Sequence, residues 1–169
     1  PLPDAIRSGR PVWIASREKQ LAGIDLFISE RQRIAAESVD PKVKNYHWID
    51  LVQSMFDAYD RGHDTSCVVD ANGHVTEGPG FNVFAVTNGV VATPDRGVLE
   101  GITRLAVIQL CEKLGLRCEQ RTVPLAELRE ADEIFISSTA GGVMGVTRLD
   151  DRILGNDRPG PISSLLRET

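Results

Sequence analysis

Cysteine is scarce in this 169-residue chain, and its three cysteines do not have the number or spacing of a disulfide framework or a metal site. Cys67, Cys111 and Cys118 lie in or near apolar runs, which indicates reduced thiols in a core and favours a cytoplasmic protein. No apolar run approaches the roughly 20 residues that a membrane-spanning helix needs, and no charged-then-apolar leader opens the chain. We therefore expect no membrane partner.

Basic residues are too few for a nucleic-acid interface. The 19 Lys and Arg are outnumbered by 24 Asp and Glu, the formal net charge is -5, and no basic stripe is visible. His47, His63 and His74 have no metal-ligand spacing, and no Ser-His-Asp set has motif support. We expect neither a nucleic-acid partner nor a metal. What remains, 41% hydrophobic and 25% charged residues, is typical of one soluble globular domain.

Hydrophobic periodicity predicts helices and hairpins from residue 25 onward. Helices are predicted over residues 48–59, 103–114 and 125–131. Strands are predicted over residues 25–34, 66–70, 81–87, 117–123, 133–137, 146–149 and 152–154, with turns at 72–73 and 88–89. The first strand would close at Asp40 and Pro41, which places Lys44 at a strand end. Hairpins combined with helical crossovers predict an α+β or mixed α/β domain rather than a doubly wound sheet.

The two longer helices each have an apolar face that we expect to be buried. In the first, the face consists of Trp48, Leu51, Val52, Met55, Phe56 and Tyr59. In the second, it consists of Leu105, Val107, Ile108, Leu110, Cys111 and Leu114. Thr103 is a candidate N-cap for this second helix, and Gly115 would end it.

Four short segments that carry reactive or anion-binding groups follow one another along the chain. They are residues 43–48 (Val-Lys-Asn-Tyr-His-Trp), 76–82 (Thr-Glu-Gly-Pro-Gly-Phe-Asn), 101–104 (Gly-Ile-Thr-Arg) and 138–142 (Ser-Thr-Ala-Gly-Gly). They supply a lysine, a carboxylate, a helix start and a glycine turn. Helix starts and glycine turns offer backbone amides to an anion. Each segment alone is weak, but a chance occurrence of the ordered set across residues 39–150 is improbable.

In this order the segments resemble the fold-type IV pyridoxal-phosphate aminotransferases, which include branched-chain, D-amino-acid and (R)-selective amine transaminases. The resemblance implies the large domain of that fold, a pseudo-barrel of mostly antiparallel strands with surrounding helices. Residues 23–169 would form this cofactor-binding domain, residues 1–22 a linker or entering segment, and the smaller N-terminal domain would be missing. It further implies pyridoxal 5'-phosphate as cofactor, an amine or amino acid and a 2-oxo acid as substrates, and a homodimer.

The resemblance gives each matched residue a role. Lys44 would be the catalytic lysine that carries the cofactor, and the Asn and aromatic residue that follow it select it over Lys42. Glu77 would keep a proton on the ring nitrogen of the cofactor. The cofactor phosphate would be bound by Ile102, Thr103, Ser138 and Thr139. The substrate pocket would include Trp48, Asn82 and Ala140.

Within the family, the lysine and carboxylate segments look most like (R)-selective amine transaminases, because branched-chain enzymes typically carry Gly-Gly-Asn-Tyr after the lysine. Branched-chain and D-amino-acid aminotransferases, an aminodeoxychorismate-type lyase, and a non-catalytic anion-binding or oligomerisation module are the alternatives. Gly145 stands where the family often has proline, so we expect a flexible loop before the last hairpin.

Overall fold

The computed structural model describes residues 15–169. Its helices are α1 (Arg17–Ala22), α2 (Ile49–Asp60), α3 (Ile102–Lys113), α4 (Leu125–Glu130) and α5 (Pro161–Glu168). Its strands are β1 (Ile24–Gln32), β2 (Thr65–Val69), β3 (Glu77–Gly78), β4 (Phe81–Thr87), β5 (Val90–Thr93), β6 (Cys118–Gln120), β7 (Glu133–Ser138), β8 (Gly142–Leu149) and β9 (Arg152–Ile153). No helix within these residues is both long and apolar enough to cross a membrane.

The strands form one nine-stranded sheet in the order β2-β1-β8-β7-β4-β5-β6, with β3 added beside β4 and β9 beside β8. The central strands β8, β7, β4 and β5 are antiparallel, whereas β1 runs parallel to both β2 and β8, and β6 runs parallel to β5. The sheet curls into a half-barrel. The predicted mixed α+β class with mostly antiparallel strands is therefore confirmed.

Both faces of the sheet are packed with apolar side chains because successive strand residues point to opposite sides. One cluster of buried side chains includes Leu26, Ile134, Val146 and Leu149. In a second, separate cluster, the rings of Phe84 and Phe135 stack at 4.7 Å between centroids. These rings lie beneath side chains of α3 and α5, among them Val107 and Leu166. Both helices are thereby fixed against the sheet.

Turn chemistry follows the sequence closely. Asn88 and Gly89 join β4 to β5, and both have positive φ, 50° and 77°. A two-residue hairpin of this hand needs that conformation, which Asn and Gly adopt most readily. Strand β4 has the predicted bounds, and the predicted turn at Asn72 and Gly73 is also present.

The predicted buried face of α2 is partly wrong. Phe56 and Tyr59 are exposed, whereas Asp50, Leu51, Ser54 and Ala58 are buried. The reason is that polar groups of this face find hydrogen-bond partners: the Ser54 hydroxyl lies 2.7 Å from that of Ser66 in β2. Hydrogen-bonded polar groups can be buried at little cost, and the aromatic rings then stay in solvent.

The predicted face of α3 needs the same kind of correction. Leu105 and Leu114 are exposed, and Arg104 is buried with its guanidinium donating to the Pro94 carbonyl oxygen at 2.9 Å. Thr103 is not the N-cap, because Gly101 occupies that position. The predicted strand over residues 117–123 is shorter, since only Cys118–Gln120 pairs with β5.

Two loops also differ from expectation. Lys44 is not at a strand end, because β1 already stops at Gln32. Just after the strand, Ile34 N-H donates to the Asp50 carboxylate and not to a neighbouring strand. Gly145 lies inside β8 opposite Phe135, so the flexible loop expected there is absent from the described residues. A Cβ at Gly145 would lie 2.6 Å from Pro159 Cβ, so glycine serves close packing.

The predicted division of the chain stays a prediction. Residues 1–14 of the expected entering segment lie outside the described residues, and Arg17–Ala22 of that segment form α1. The Ser16 hydroxyl caps this helix by accepting from Lys19 N-H.

Candidate active site

Four segments that are distant in sequence enclose a cavity of about 300 Å³. They are the loop of residues 33–48, the β3–β4 hairpin, the residues that lead into α3, and the end of β7. Of the nine predicted site residues, eight line this cavity: Lys44, Trp48, Glu77, Asn82, Ile102, Thr103, Ser138 and Thr139. Ala140 does not line it, and its carbonyl oxygen instead accepts from Ala15 N-H.

Two lysines on the first loop have different surroundings. Lys42 Nζ lies 2.7 Å from Glu100 Oε1, and this hydrogen bond raises the pKa of Lys42 and favours its charged form. Lys44 lines the cavity and has no carboxylate partner within ion-pair distance among the described residues. The loop around it is ordered by Asn45, whose side chain bonds to the backbone of Val43 and His47. Of the two lysines, only Lys44 can therefore offer its amine to a ligand in this cavity.

Glu77 is a buried carboxylate at the base of the β3–β4 hairpin, only 6% exposed. Its Oε1 accepts from the Arg33 guanidinium at 3.1 Å, and its Oε2 accepts from Leu99 N-H at 2.9 Å. Burial raises the pKa of Glu77, while the Leu99 amide and the positive charge of Arg33 oppose that rise. Opposite it in the hairpin stands Asn82, whose Nδ2 donates to Leu99 O.

Helix α3 begins at the cavity without a side-chain cap. Its first intrahelical bond runs from Leu105 N-H to the carbonyl oxygen of Gly101, so the amides of Ile102, Thr103 and Arg104 precede the helical ladder. The unsatisfied amides and the helix dipole make such a start favourable for an anion. Gly101 is required here by packing, since a Cβ would lie 2.5 Å from Asn82 Oδ1.

The β7–β8 turn forms the remaining wall. The Ser138 hydroxyl accepts from Gly141 N-H at 2.9 Å and closes the turn. Ser137 is one of the residues that line the cavity, and its hydroxyl is buried without a hydrogen-bond partner among the described residues. An unpaired buried hydroxyl is costly, so this atom is one indication that the cavity takes a polar ligand.

Arg33 lines the cavity and Asp50 contacts Arg33, and neither residue was predicted from the sequence. Arg33 also donates to Asp50 Oδ2 at 2.7 Å, and both side chains are 7% exposed. The only available signal was a carboxylate in the first turn of a helix, which is ordinary at a helix N-terminus. The ion pairs of Arg33 with Asp50 and Glu77 join residues far apart in the chain, so no local sequence motif indicates them.

These groups fit pyridoxal 5'-phosphate. The free amides of α3, the hydroxyls of the β7–β8 turn and Gly101 provide a cradle for a phosphate. Glu77 could accept a hydrogen bond from a protonated ring nitrogen, and Lys44 could offer an amine to an aldehyde. All three groups of residues line the same cavity.

Comparison with known proteins identifies the family. The family model described as Amino-transferase class IV matches residues 11–149. The chain belongs to the class IV aminotransferases. The curated branched-chain-amino-acid aminotransferase of Escherichia coli strain K12 is 34% identical over 151 residues, which are 86% of this chain and 48% of that protein.

Solved class IV structures have the same fold. The branched-chain amino acid aminotransferase of Escherichia coli superimposes with a TM-score of 0.89 at 30% identity, over 94% of this chain and 53% of that one. The T.th. branched-chain enzyme in complex with N-(5'-phosphopyridoxyl)-L-glutamate gives a TM-score of 0.83 at 32% identity, over 87% and 50%. The chain spans about half the length of the curated relatives it matches.

The comparisons confirm the class IV resemblance that the four segments indicated. They also bear on the subclass, since the relatives and structures above are named branched-chain aminotransferases. Nothing in them supports the preference for (R)-selective amine transaminases, which depended on the lysine and carboxylate segments.

Proposed function

We propose that the intact protein is a pyridoxal 5'-phosphate-dependent aminotransferase that exchanges an amino group between an amino acid and a 2-oxo acid. Branched-chain amino acids are the leading substrate class. The observation that carries the proposal is a single cavity lined by Lys44, Glu77 and the uncapped start of α3. The names of the class IV relatives, and the phosphopyridoxyl ligand of the T.th. enzyme, support the cofactor and the substrate class.

Each group in the cavity has one task. When bound, pyridoxal 5'-phosphate supplies an electron-withdrawing ring that accepts the electron pair left at the substrate α-carbon. Glu77 accepts a hydrogen bond from the ring nitrogen and keeps a proton there. The amides of Ile102 and Thr103, with the hydroxyls of Ser138 and Thr139, bind the phosphate.

Lys44 Nζ would hold the cofactor at rest and then move a proton. Its free amine would take the proton from the substrate α-carbon and pass that proton to the cofactor. Lys44 is suited to this because it lines the cavity without a carboxylate partner among the described residues. Lys42 is held by Glu100 and does not line that cavity.

Lys44→Ala is expected to abolish transamination by the intact protein, with a loss of at least about 10²-fold in kcat from the missing proton transfer. Lys42→Ala is the matched control, because it removes a neighbouring lysine that is 60% exposed and paired on the surface. Its kcat should stay within about twofold of the unmodified protein. Activity retained in Lys44→Ala would eliminate this assignment.

A donor panel tests the substrate class. Branched L-amino acids, D-alanine and (R)-1-phenylethylamine are offered to the intact protein with 2-oxoglutarate as acceptor. We expect turnover with the branched L-amino acids, in line with the named relatives. Turnover with the (R)-amine alone would restore the subclass that the lysine segment favoured, and pyruvate release from an aminodeoxychorismate substrate without any acceptor would indicate a lyase.

A homodimer and a cytoplasmic location complete the proposal. Val43 and Ile102 line the cavity yet are 61% and 86% exposed, which favours a covering surface from the rest of the protein or from a second copy. The three cysteines are free, which suits a reducing compartment. Light scattering that gives only a monomer would contradict the dimer, and fractionation of cells would test the location.

A further inference from the structure

Arg33 stands between two buried carboxylates. One terminal nitrogen of its guanidinium donates to Asp50 Oδ2 at 2.7 Å, and the other donates to Glu77 Oε1 at 3.1 Å. All three side chains are at most 8% exposed. The planar guanidinium places its donors in a fixed fork, so fixing one of these contacts also directs the other.

Asp50 is itself firmly held. Its Oδ2 also accepts from Ile34 N-H at 2.8 Å, and its Oδ1 accepts from Leu51 N-H at 2.8 Å. It therefore joins the end of β1 to the first turn of α2. The intervening loop is the one that carries Lys44, so the same ionic contacts fix both ends of that loop.

The Glu77 carboxylate is held by donors on both of its oxygens, Arg33 on one and Leu99 N-H on the other. The charged and titratable groups near it are Arg33 just after β1, Asp50 from α2 and Cys67 from β2, and Lys44 lines the same cavity. Burial, with the nearby charge of Glu77, raises the pKa of the Cys67 thiol to about 12, so that group stays neutral. Arg33 is thus the one cation in direct contact with Glu77 among the described residues.

We propose that Arg33 is a positioning residue that keeps Glu77 ionised and aimed into the cavity, and that Asp50 fixes Arg33 for this purpose. Without Arg33, two buried carboxylates would face each other with no cation between them, and one would take up a proton. A protonated Glu77 could no longer hold a proton on the ring nitrogen of the cofactor. The inference rests on the proposed function for its role in catalysis, but the ionisation of Glu77 can be measured without the cofactor.

The first experiment follows Glu77 in the intact protein without cofactor. Carbon-13 NMR of protein labelled at the glutamate carboxyl carbon gives the titration of each Glu, and Glu77→Gln identifies the signal. Arg33→Met is expected to move the titration of Glu77 to higher pH. Arg33→Lys should move it less, because lysine keeps the positive charge but lacks the two fixed donor groups of the guanidinium. If Arg33→Met does not fold, Arg33→Lys decides the test.

The matched control is Arg31→Gln. Arg31 lies two residues earlier and pairs with Asp57 on the surface at 2.7 Å. This variant should leave the titration of Glu77 unchanged. A Glu77 titration that does not move in folded Arg33→Lys or Arg33→Met, or that moves equally in Arg31→Gln, would overturn the inference.

The second experiment separates the inference from the proposed function. In the protein loaded with pyridoxal 5'-phosphate, Arg33→Lys should lower kcat by about tenfold, the value of one hydrogen bond to a charged group, with little change in KM. The acidic limb of the pH profile of kcat should move to higher pH, since a carboxyl with a raised pKa stays neutral over more of the range. Absence of cofactor binding in the unmodified protein would defeat the proposed function and leave the NMR result standing. Normal binding with an unchanged kcat and pH profile in Arg33→Lys would defeat the role of Arg33 alone.

Discussion

At the scale of single residues, two polar side chains fix the start of α3. Asn82 holds the incoming segment by donating to the carbonyl oxygen of Leu99, and Arg104 holds the first turn by donating to that of Pro94. Burial lowers the pKa of Arg104, yet the guanidinium remains charged because its ordinary value is so high. The amides that would bind phosphate are therefore placed by these polar contacts, in addition to the apolar packing of α3 against the sheet.

Gly101→Ala should disturb this arrangement. The added Cβ would lie 2.5 Å from Asn82 Oδ1, and Asn82 cannot move without losing its bond to Leu99. We expect a loss of about 1–3 kcal/mol in the free energy of unfolding, as for other overpacked sites, and weaker cofactor binding. Urea denaturation of the intact protein and titration with pyridoxal 5'-phosphate measure the two effects.

The control for Gly101→Ala is the same change in an Asn82→Ala background. Removing the amide removes the obstacle, so the second substitution should cost less there than in the unmodified protein. If the two changes are additive, steric contact with Asn82 is not the reason for the glycine.

At the scale of elements, local chemistry predicted most of the strands and turns. The Asn88 and Gly89 turn, strand β4 and strand β7 follow from β-branched runs bounded by turn residues. Helix positions also followed from periodicity, but the buried faces of α2 and α3 did not. Ser54 and Arg104 are buried through hydrogen bonds to distant residues, and apolar periodicity carries no information about such partners.

The pairing of strands that lie far apart in the chain could not be predicted from the sequence for the same reason. The parallel pairing of β1 with β8 joins Ile24 to Val146, far along the chain, and no turn signals it. The four segments nevertheless lie around one cavity, because their motifs are local and their order is informative, and the roles of their residues stay predictions. Arg33 and Asp50 escaped prediction since the contacts of this cluster join three different parts of the chain.

At the scale of the whole molecule, loops and strand ends of the half-barrel line a cavity that is open on one side. The chain spans about half the length of its class IV relatives, and apolar side chains such as Ile102 are exposed where the cavity opens. A site of this kind can hold a cofactor from one side and leave the substrate side to be completed. This arrangement agrees with the covering surface proposed above for the exposed apolar residues of the cavity.

The most direct test of the account is the position of the cofactor on the protein. The intact protein is incubated with pyridoxal 5'-phosphate, reduced with borohydride and digested, and the phosphopyridoxyl peptide is identified by mass spectrometry. The account predicts a label on Lys44 and none on Lys42, which is engaged by Glu100. A label on Lys42, or no labelled lysine at all, would contradict it.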